Sequence, residues 1–162
     1  MRIEARLREL GLVLPEPFQS PTGRPYPFSW VRVRGSRAYV SGHLPLAPNG
    51  TLAEPLGKVG AEVTPEQGHH AARLAALAAF GSLRRELGDL DRVSAWLRVF
   101  GMVNTAPGFT QVAGVVNGFS ELLTEVFGPE IGGHARSAVG MAELPFGVAV
   151  EIEAEVEIDG GS

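Results

Sequence analysis

Cysteine is missing altogether from the 162 residues. Disulfides, thiolate nucleophiles and cysteine metal sites are thereby excluded. Lysine is nearly missing as well: Lys58 is the only one, and the other basic residues are arginines spread among acids. With a formal charge of −4 and a pI of about 5.6, the chain has no basic stripe able to release phosphate counterions. No nucleic-acid partner is expected. Nor does any stretch approach the ~18 consecutive apolar residues of a membrane span, and the first residues are charged helix formers rather than the apolar core of a signal peptide. A cytoplasmic protein with no membrane partner is the resulting expectation. Ser41 and Ser137 lack a nucleophile elbow, and the glycine pair at 132–133 has no lysine and precedes a strand, so it is not a phosphate loop.

What is present suits one well-buried core. The 44% hydrophobic content over this length predicts a single domain spanning 1–162, with an N-terminal helix and a proline-rich extension at 1–27. Residues 2–10 carry Ile3, Leu7 and Leu10 at helical spacing, and Gly11 ends the pattern. Five prolines between 14 and 27 forbid a helix or central strand there and predict an extended surface loop. Two short strands are expected at 29–34 and 38–41 around Gly35-Ser36-Arg37. Gly42 then marks a bulge or a close approach to the backbone.

Thr64-Pro65-Glu66-Gln67 is a strong helix start, with Thr64 as N-cap, Pro65 in the first helical position and Gln67 completing a capping box. That helix should run to about Leu87, its alanine-rich middle packing closely against a neighbour. A strand is predicted over 91–100, with Val93, Ala95, Leu97 and Val99 on one face. A second helix is predicted from near Pro107 to Phe127, with Val112, Val116, Phe119, Leu123 and Val126 as its apolar stripe. Two helices on one face of a mixed sheet, an α+β architecture, is the simplest packing of these elements.

The last third of the chain is the most informative. From 148 to 158 the parity is unbroken: Val148, Val150, Ile152, Ala154, Val156 and Ile158 share one face, and Glu151, Glu153, Glu155 and Glu157 share the other. Such alternation signals a half-buried strand. If residues 135–142 pair with it in a hairpin turning at Pro145-Phe146, Arg136 falls opposite Glu155 and Glu151 opposite Gly140. Directly opposed residues share a face. That places Arg136 on the glutamate face, though about 13 Å from Glu151 along a flat sheet.

Arg136 then has two readings, an ordinary cross-strand partner for a glutamate or a planar fork for a ligand carboxylate. The glutamates together read as a solvated strand face. His43 reads as a surface or interface histidine, and Asn117 as a polar flank residue or a group orienting something at the helix–sheet edge. His69 and His70 point about 100° apart on a helix, so they do not readily share a metal.

The run His134-Ala-Arg136-Ser-Ala-Val, continuing through Leu144-Pro145 to Glu151-Ile-Glu153, resembles the C-terminal signature of the Rid/YjgF reactive-intermediate deaminase family, formerly described as L-PSP endoribonucleases. Tyr39-Val-Ser-Gly42-His-Leu-Pro45 is similar to that family's Ser-Gly-Gln-hydrophobic-Pro, and Asn117-Gly-Phe119 to its Asn-x-Tyr/Phe. The resemblance implies a chorismate-mutase-like α+β fold assembled as a homotrimer with clefts between subunits. It implies hydrolysis of enamine or imine intermediates such as 2-aminoacrylate to 2-keto acids and ammonia, with no metal or organic cofactor. By position, Arg136 would hold the substrate carboxylate and Glu151 would position or activate water, with Gly42 as the bulge glycine and Asn117 as the helix asparagine.

Three residues of the implied substrate site depart from the pattern. Phe28 stands where the family has tyrosine, Ala138 where cysteine is frequent, and His43 where glutamine is usual. Two other functions remain in play: a non-catalytic trimeric protein binding a small carboxylate such as a keto acid, favoured by Phe28, and, more weakly, an endoribonuclease.

Overall fold

The computed structural model describes residues 1–160. Its elements follow one another as α1 (Arg2–Glu9), β1 (Val31–Arg34), β2 (Arg37–His43), α2 (Pro65–Leu87), β3 (Val93–Asn104), α3 (Val112–Ile131), β4 (Ala135–Met141) and β5 (Val150–Ile158), with single 3-10 turns at Leu90–Arg92 and Pro145–Gly147. Five strands form one sheet in the order β1-β2-β5-β3-β4. Helices α2 and α3 pack side by side on one face of it, as expected of a chorismate-mutase-like α+β chain. No described helix is long and apolar enough to cross a membrane.

Local chemistry explains the helices. Thr64 Oγ1 accepts from Gln67 N at 3.1 Å while Gln67 Oε1 accepts from Thr64 N at 2.9 Å, a reciprocal capping box with Pro65 in the first turn. Alanines 71, 72, 75, 76, 78 and 79 of α2 are all buried. Their small size lets α3 come close. Gly118 marks the tightest approach, since a Cβ there would lie 2.0 Å from the backbone oxygen of His69. Gly101 does the same for the helix–sheet contact: a Cβ would meet Val116 Cγ1 at 2.5 Å. Helix α3 begins at Val112, five residues later than Pro107, and its regular geometry ends at Gly128 with φ of 84° and ψ of 164°.

Two expectations fail in the sheet. In β3 the buried residues are Val93, Trp96, Val99, Gly101, Val103 and Asn104, so Ala95 and Leu97 do not share the inward face. Register shifts between Val93 and Ala95 and between Trp96 and Arg98 insert extra residues and turn Trp96 inward, where it packs among Phe80, Phe119 and Phe127. The larger correction concerns the end of the chain. β4 and β5 do not form a hairpin. β4 pairs in parallel with β3 at the sheet edge, and β5 crosses over to lie between β2 and β3, antiparallel to both. Residues 142–149 carry that crossing, turning at Phe146 with φ of 59°.

Burial of β5 between two strands accounts for its long alternating pattern, because its apolar side packs into the core beneath α2. Lys58 ties the crossing down. Its Nζ donates to Asn104 Oδ1 at 2.9 Å and to the Ala142 carbonyl, and lies 3.5 Å from Glu143. Asn104, buried at the end of β3, donates in turn to Val148 O at 3.1 Å.

Gly118→Ala should lower unfolding free energy by about 1–3 kcal/mol, because the added methyl meets backbone that cannot move aside. Gly114→Ala, where nothing lies within 4 Å of the added carbon, should be neutral or stabilising by about 0.5–1 kcal/mol. Urea denaturation of both variants measures the contrast; equal effects would contradict the close helix contact.

Candidate functional site

Sheet register decides where the candidate residues stand. Arg136 lies beside Val99 in β3, and Val99 lies beside Ala154 in β5, so these three share the helix-covered face. Glu151 lies beside Met102, three positions from Val99 along an unshifted stretch of β3. It therefore projects from the opposite, open face. The expected pairing of Arg136 with Glu155 does not exist: Glu155 lies 3.6 Å from Arg37 instead. Arg136 and Glu151 do not converge within one chain.

Around Arg136, at the edge of the sheet, sit residues of α3. Its Nη1 donates to Asn117 Oδ1 at 2.8 Å and to Ser120 Oγ at 3.1 Å, and its Nη2 reaches Ala113 O at 3.4 Å. Ala113, Asn117 and Ser120 are spaced i, i+4, i+7 and share one side of the helix. Asn117 is thus an orienting group at the helix–sheet edge. His134 joins through Nε2, 2.9 Å from Ser120 Oγ. Ala138, two residues after Arg136, lies on the same face and packs partly against the core. Ser120 and His134 were not singled out in the sequence; the helical spacing from Asn117 is the signal that could have found Ser120.

Around Glu151 the sheet is irregular. Register shifts between Val40 and His43, which places the bulge at Ser41-Gly42. The carboxylate of Glu151 occupies the room Gly42 leaves, since a Cβ there would lie 2.7 Å from Glu151 Oε2. Partial burial pushes the Glu151 carboxyl above the ordinary carboxylate value, and the neighbouring charge of Glu153 adds to this. Among the described residues Glu151 has no ion-pair partner, whereas Glu157 accepts from Ser94 Oγ at 2.9 Å. The chain next to Phe28 is tied to this bulge: the neighbouring Ser29 O accepts from Ser41 Oγ at 2.7 Å. Its ring is 49% exposed and stands 5.4 Å from Tyr26 and 5.1 Å from Trp30. A concavity of about 230 Å³ lies on the open face between Arg32, Tyr39, Ser41, Arg98, Phe100 and Glu153; neither Arg136 nor Glu151 lines it.

His43 belongs to neither group. It is 4% exposed and points to the helix layer, so it is not a surface histidine. Nδ1 donates to Ser41 O at 2.6 Å, which leaves Nε2 to accept from Ser82 Oγ at 2.8 Å. Burial, with Arg85 nearby, lowers its pKa from 6.5 to about 4 against the opposing bond to Ser41. His69 lies 3.0 Å from Glu121, and no group of three potential metal ligands occurs among the described residues.

Residues 4–151 match the family model described as YjgF/chorismate mutase-like, putative endoribonuclease. The chain belongs to the YjgF family. Protein TCP17 of Trypanosoma cruzi is 42% identical over 158 residues, covering 98% of this chain and 95% of that protein. The structure of Atu1372, a protein of unknown function from Agrobacterium tumefaciens, is 39% identical with a TM-score of 0.85, covering 97% of this chain and 94% of that one. A Shewanella oneidensis protein carrying the endoribonuclease designation is 30% identical at the same TM-score, covering 96% and 99%. These YjgF relatives share nearly the full length of the chain, and the family match takes in the edge strand with Arg136.

Two titrations follow from this geometry. His43 is held neutral in the fold but protonates near 6.5 when unfolded, so it costs stability as pH falls from about 6.5 to 4, by about 3 kcal/mol at most. Comparing the wild type with His43→Gln by denaturant melts across that range should isolate this acid-sensitive component; identical pH dependence would contradict the buried neutral ring. For Glu151 the sign is reversed. Its penalty is complete above the folded-state pKa and is relieved as pH falls toward the unfolded value. Carboxyl NMR should show Glu151 titrating above the ordinary glutamate value, and Glu153→Gln should bring it down.

Proposed function

We propose that this chain hydrolyses small enamine or imine intermediates of the 2-aminoacrylate type to 2-keto acids and ammonia, in clefts between the subunits of a homotrimer. The observation that carries this reading is the pairing of two prepared groups on opposite faces of the sheet. One is a guanidinium held on an edge strand by three acceptors; the other is a half-buried carboxylate with a raised pKa beside a glycine bulge. A small substrate reaches both only if β4 of one copy meets the open sheet face of another. A head-to-tail contact of this kind closes into a ring. The open face suits such a role, since Tyr39 is 42% exposed there and Phe100 and Met102 are only half-buried.

In that cleft Arg136 holds the carboxylate and fixes the distance between the substrate carbon and Glu151. An enamine first takes a proton from solvent on its methylene carbon and gives one up from nitrogen, becoming the imine, whose carbon is electrophilic. Glu151 takes a proton from water as the oxygen adds to that carbon. Glu151 passes that proton to the nitrogen, a second proton from solvent makes it an ammonium leaving group, and the carbon–nitrogen bond breaks as the new hydroxyl returns its proton to Glu151, so that ammonia leaves and the carbonyl of the keto acid forms. A carboxyl raised toward neutrality is better matched to both proton movements than an ordinary one. No step calls on a metal or organic cofactor.

One observation favours a second reading, a trimeric protein that binds a small carboxylate without turning anything over. Phe28 offers no hydroxyl to orient water, and its ring is engaged by Tyr26 and Trp30. Endoribonuclease activity, the designation attached to the family, is the weakest reading for a chain with charge −4 and no basic stripe.

Generating 2-aminoacrylate in situ with a pyridoxal-phosphate-dependent dehydratase and following pyruvate release tests the leading reading. Acceleration by the wild type and its loss by about 100-fold in Arg136→Ala is the expected outcome. Pyruvate binding without any acceleration would establish the second reading in its place.

A further inference from the structure

The same hydrogen bonds that anchor Arg136 also determine which part of it remains for a ligand. Nη1 carries two hydrogens, and both are used, one by Asn117 Oδ1 and one by Ser120 Oγ. Nη2 spends one on Ala113 O. The Nε hydrogen and the second hydrogen on Nη2 remain, without a partner among the described residues. They lie on the same edge of the planar guanidinium, parallel and suited to two oxygens of one carboxylate.

Ser120 holds this arrangement only if its own hydrogen points elsewhere. His134 provides for that. A carbonyl oxygen can only accept, so the 2.7 Å contact between His134 Nδ1 and Gly132 O places a hydrogen on Nδ1. That leaves Nε2 as the acceptor, and Ser120 donates to it over 2.9 Å. With its hydrogen directed to His134, Ser120 turns its lone pairs to Arg136. The chain of donors runs in one direction, from Arg136 to Ser120 to His134, and its geometry fixes the rotation of the guanidinium about its long axis.

We infer that Ser120 and His134 are positioning residues that present the Nε–Nη2 edge of Arg136 for two-point capture of a planar, singly charged carboxylate. The inference rests on the reading of Arg136 as the substrate anchor and adds the residues and the edge through which it would work. It also narrows the ligand class. A flat carboxylate next to a small trigonal carbon, as in a 2-keto acid or its imine, can bind that edge in plane, whereas a carboxamide offers only one acceptor.

Calorimetry with pyruvate and with pyruvamide tests this in the assembled protein. Ser120→Ala and His134→Leu should each weaken pyruvate binding about tenfold and change pyruvamide binding by no more than about twofold, so the preference for carboxylate falls. The double variant should be no worse than either single one by more than about twofold, because the two residues act in series. His134→Gln, whose side-chain oxygen can still accept from Ser120, and Ser120→Thr, which keeps the hydroxyl, should stay within about threefold of wild type. These two conservative variants separate positioning from loss of folding.

Wild-type selectivity in both Ser120→Ala and His134→Leu, with Arg136→Ala still losing pyruvate, would overturn the positioning role and leave the anchor reading intact. Wild-type pyruvate affinity in Arg136→Ala would overturn the anchor reading, and the inference with it. Equal weakening toward pyruvate and pyruvamide would also overturn the inference, since a general disturbance of the edge does not distinguish the two ligands.

Discussion

The insertion of β5 between β2 and β3 is the constraint on which the rest depends. It buries Val150, Ile152, Ala154, Val156 and Ile158 in the core, chiefly beneath α2, a contribution on the order of 1.5–3 kcal/mol for each large side chain. That buried row fixes the register, because a slip of one residue would exchange it for the glutamates. Once the register is fixed, so is the face on which every candidate residue stands. The separation of Arg136 from Glu151 on opposite faces follows from this register, which is why the proposed mechanism draws them from two copies.

Two histidine–serine–arginine arrangements are built on the same plan and serve different ends. In each, the histidine Nδ1 binds the carbonyl two residues earlier, Nε2 binds a serine on a helix, and an arginine donates to that serine. His43, Ser82 and Arg85 join the bulged end of β2 to α2, where burial keeps the imidazole neutral. These bonds hold the strand end against the helix layer just behind Gly42. His134, Ser120 and Arg136 lie at the edge of the sheet, where the guanidinium stays partly open to a ligand.

Much of this was legible in the sequence for local reasons. The capping box at Thr64 and Gln67, the alanine-rich helix, the stripe of α3 and the alternation of β5 are set by residues near one another in the chain. Gly42 could be read as a bulge because strand and glycine are adjacent. What could not be read was long-range. Pro145 and Gly147 look like a tight reversal, yet the chain uses them to pass over β3, which the tie from Lys58 to Asn104, Ala142 and Glu143 supports from a distance in sequence. The parity of β3 failed because bulges cannot be counted from composition. The face of Arg136 therefore differs from the one a flat hairpin predicts. Ser120 and His134 went unnoticed for a related reason: their meaning depends on α3 lying along β4.

The central claim is that the reacting groups come from different copies of the chain, and mixing two inactive variants tests it most directly. Arg136→Ala and Glu151→Gln subunits, unfolded and refolded together, should recover turnover of 2-aminoacrylate in about a quarter of the clefts, those pairing an intact arginine with an intact glutamate. Each variant refolded alone should remain inactive. A mixture no more active than its components, in assemblies shown to contain both variants, would contradict the account.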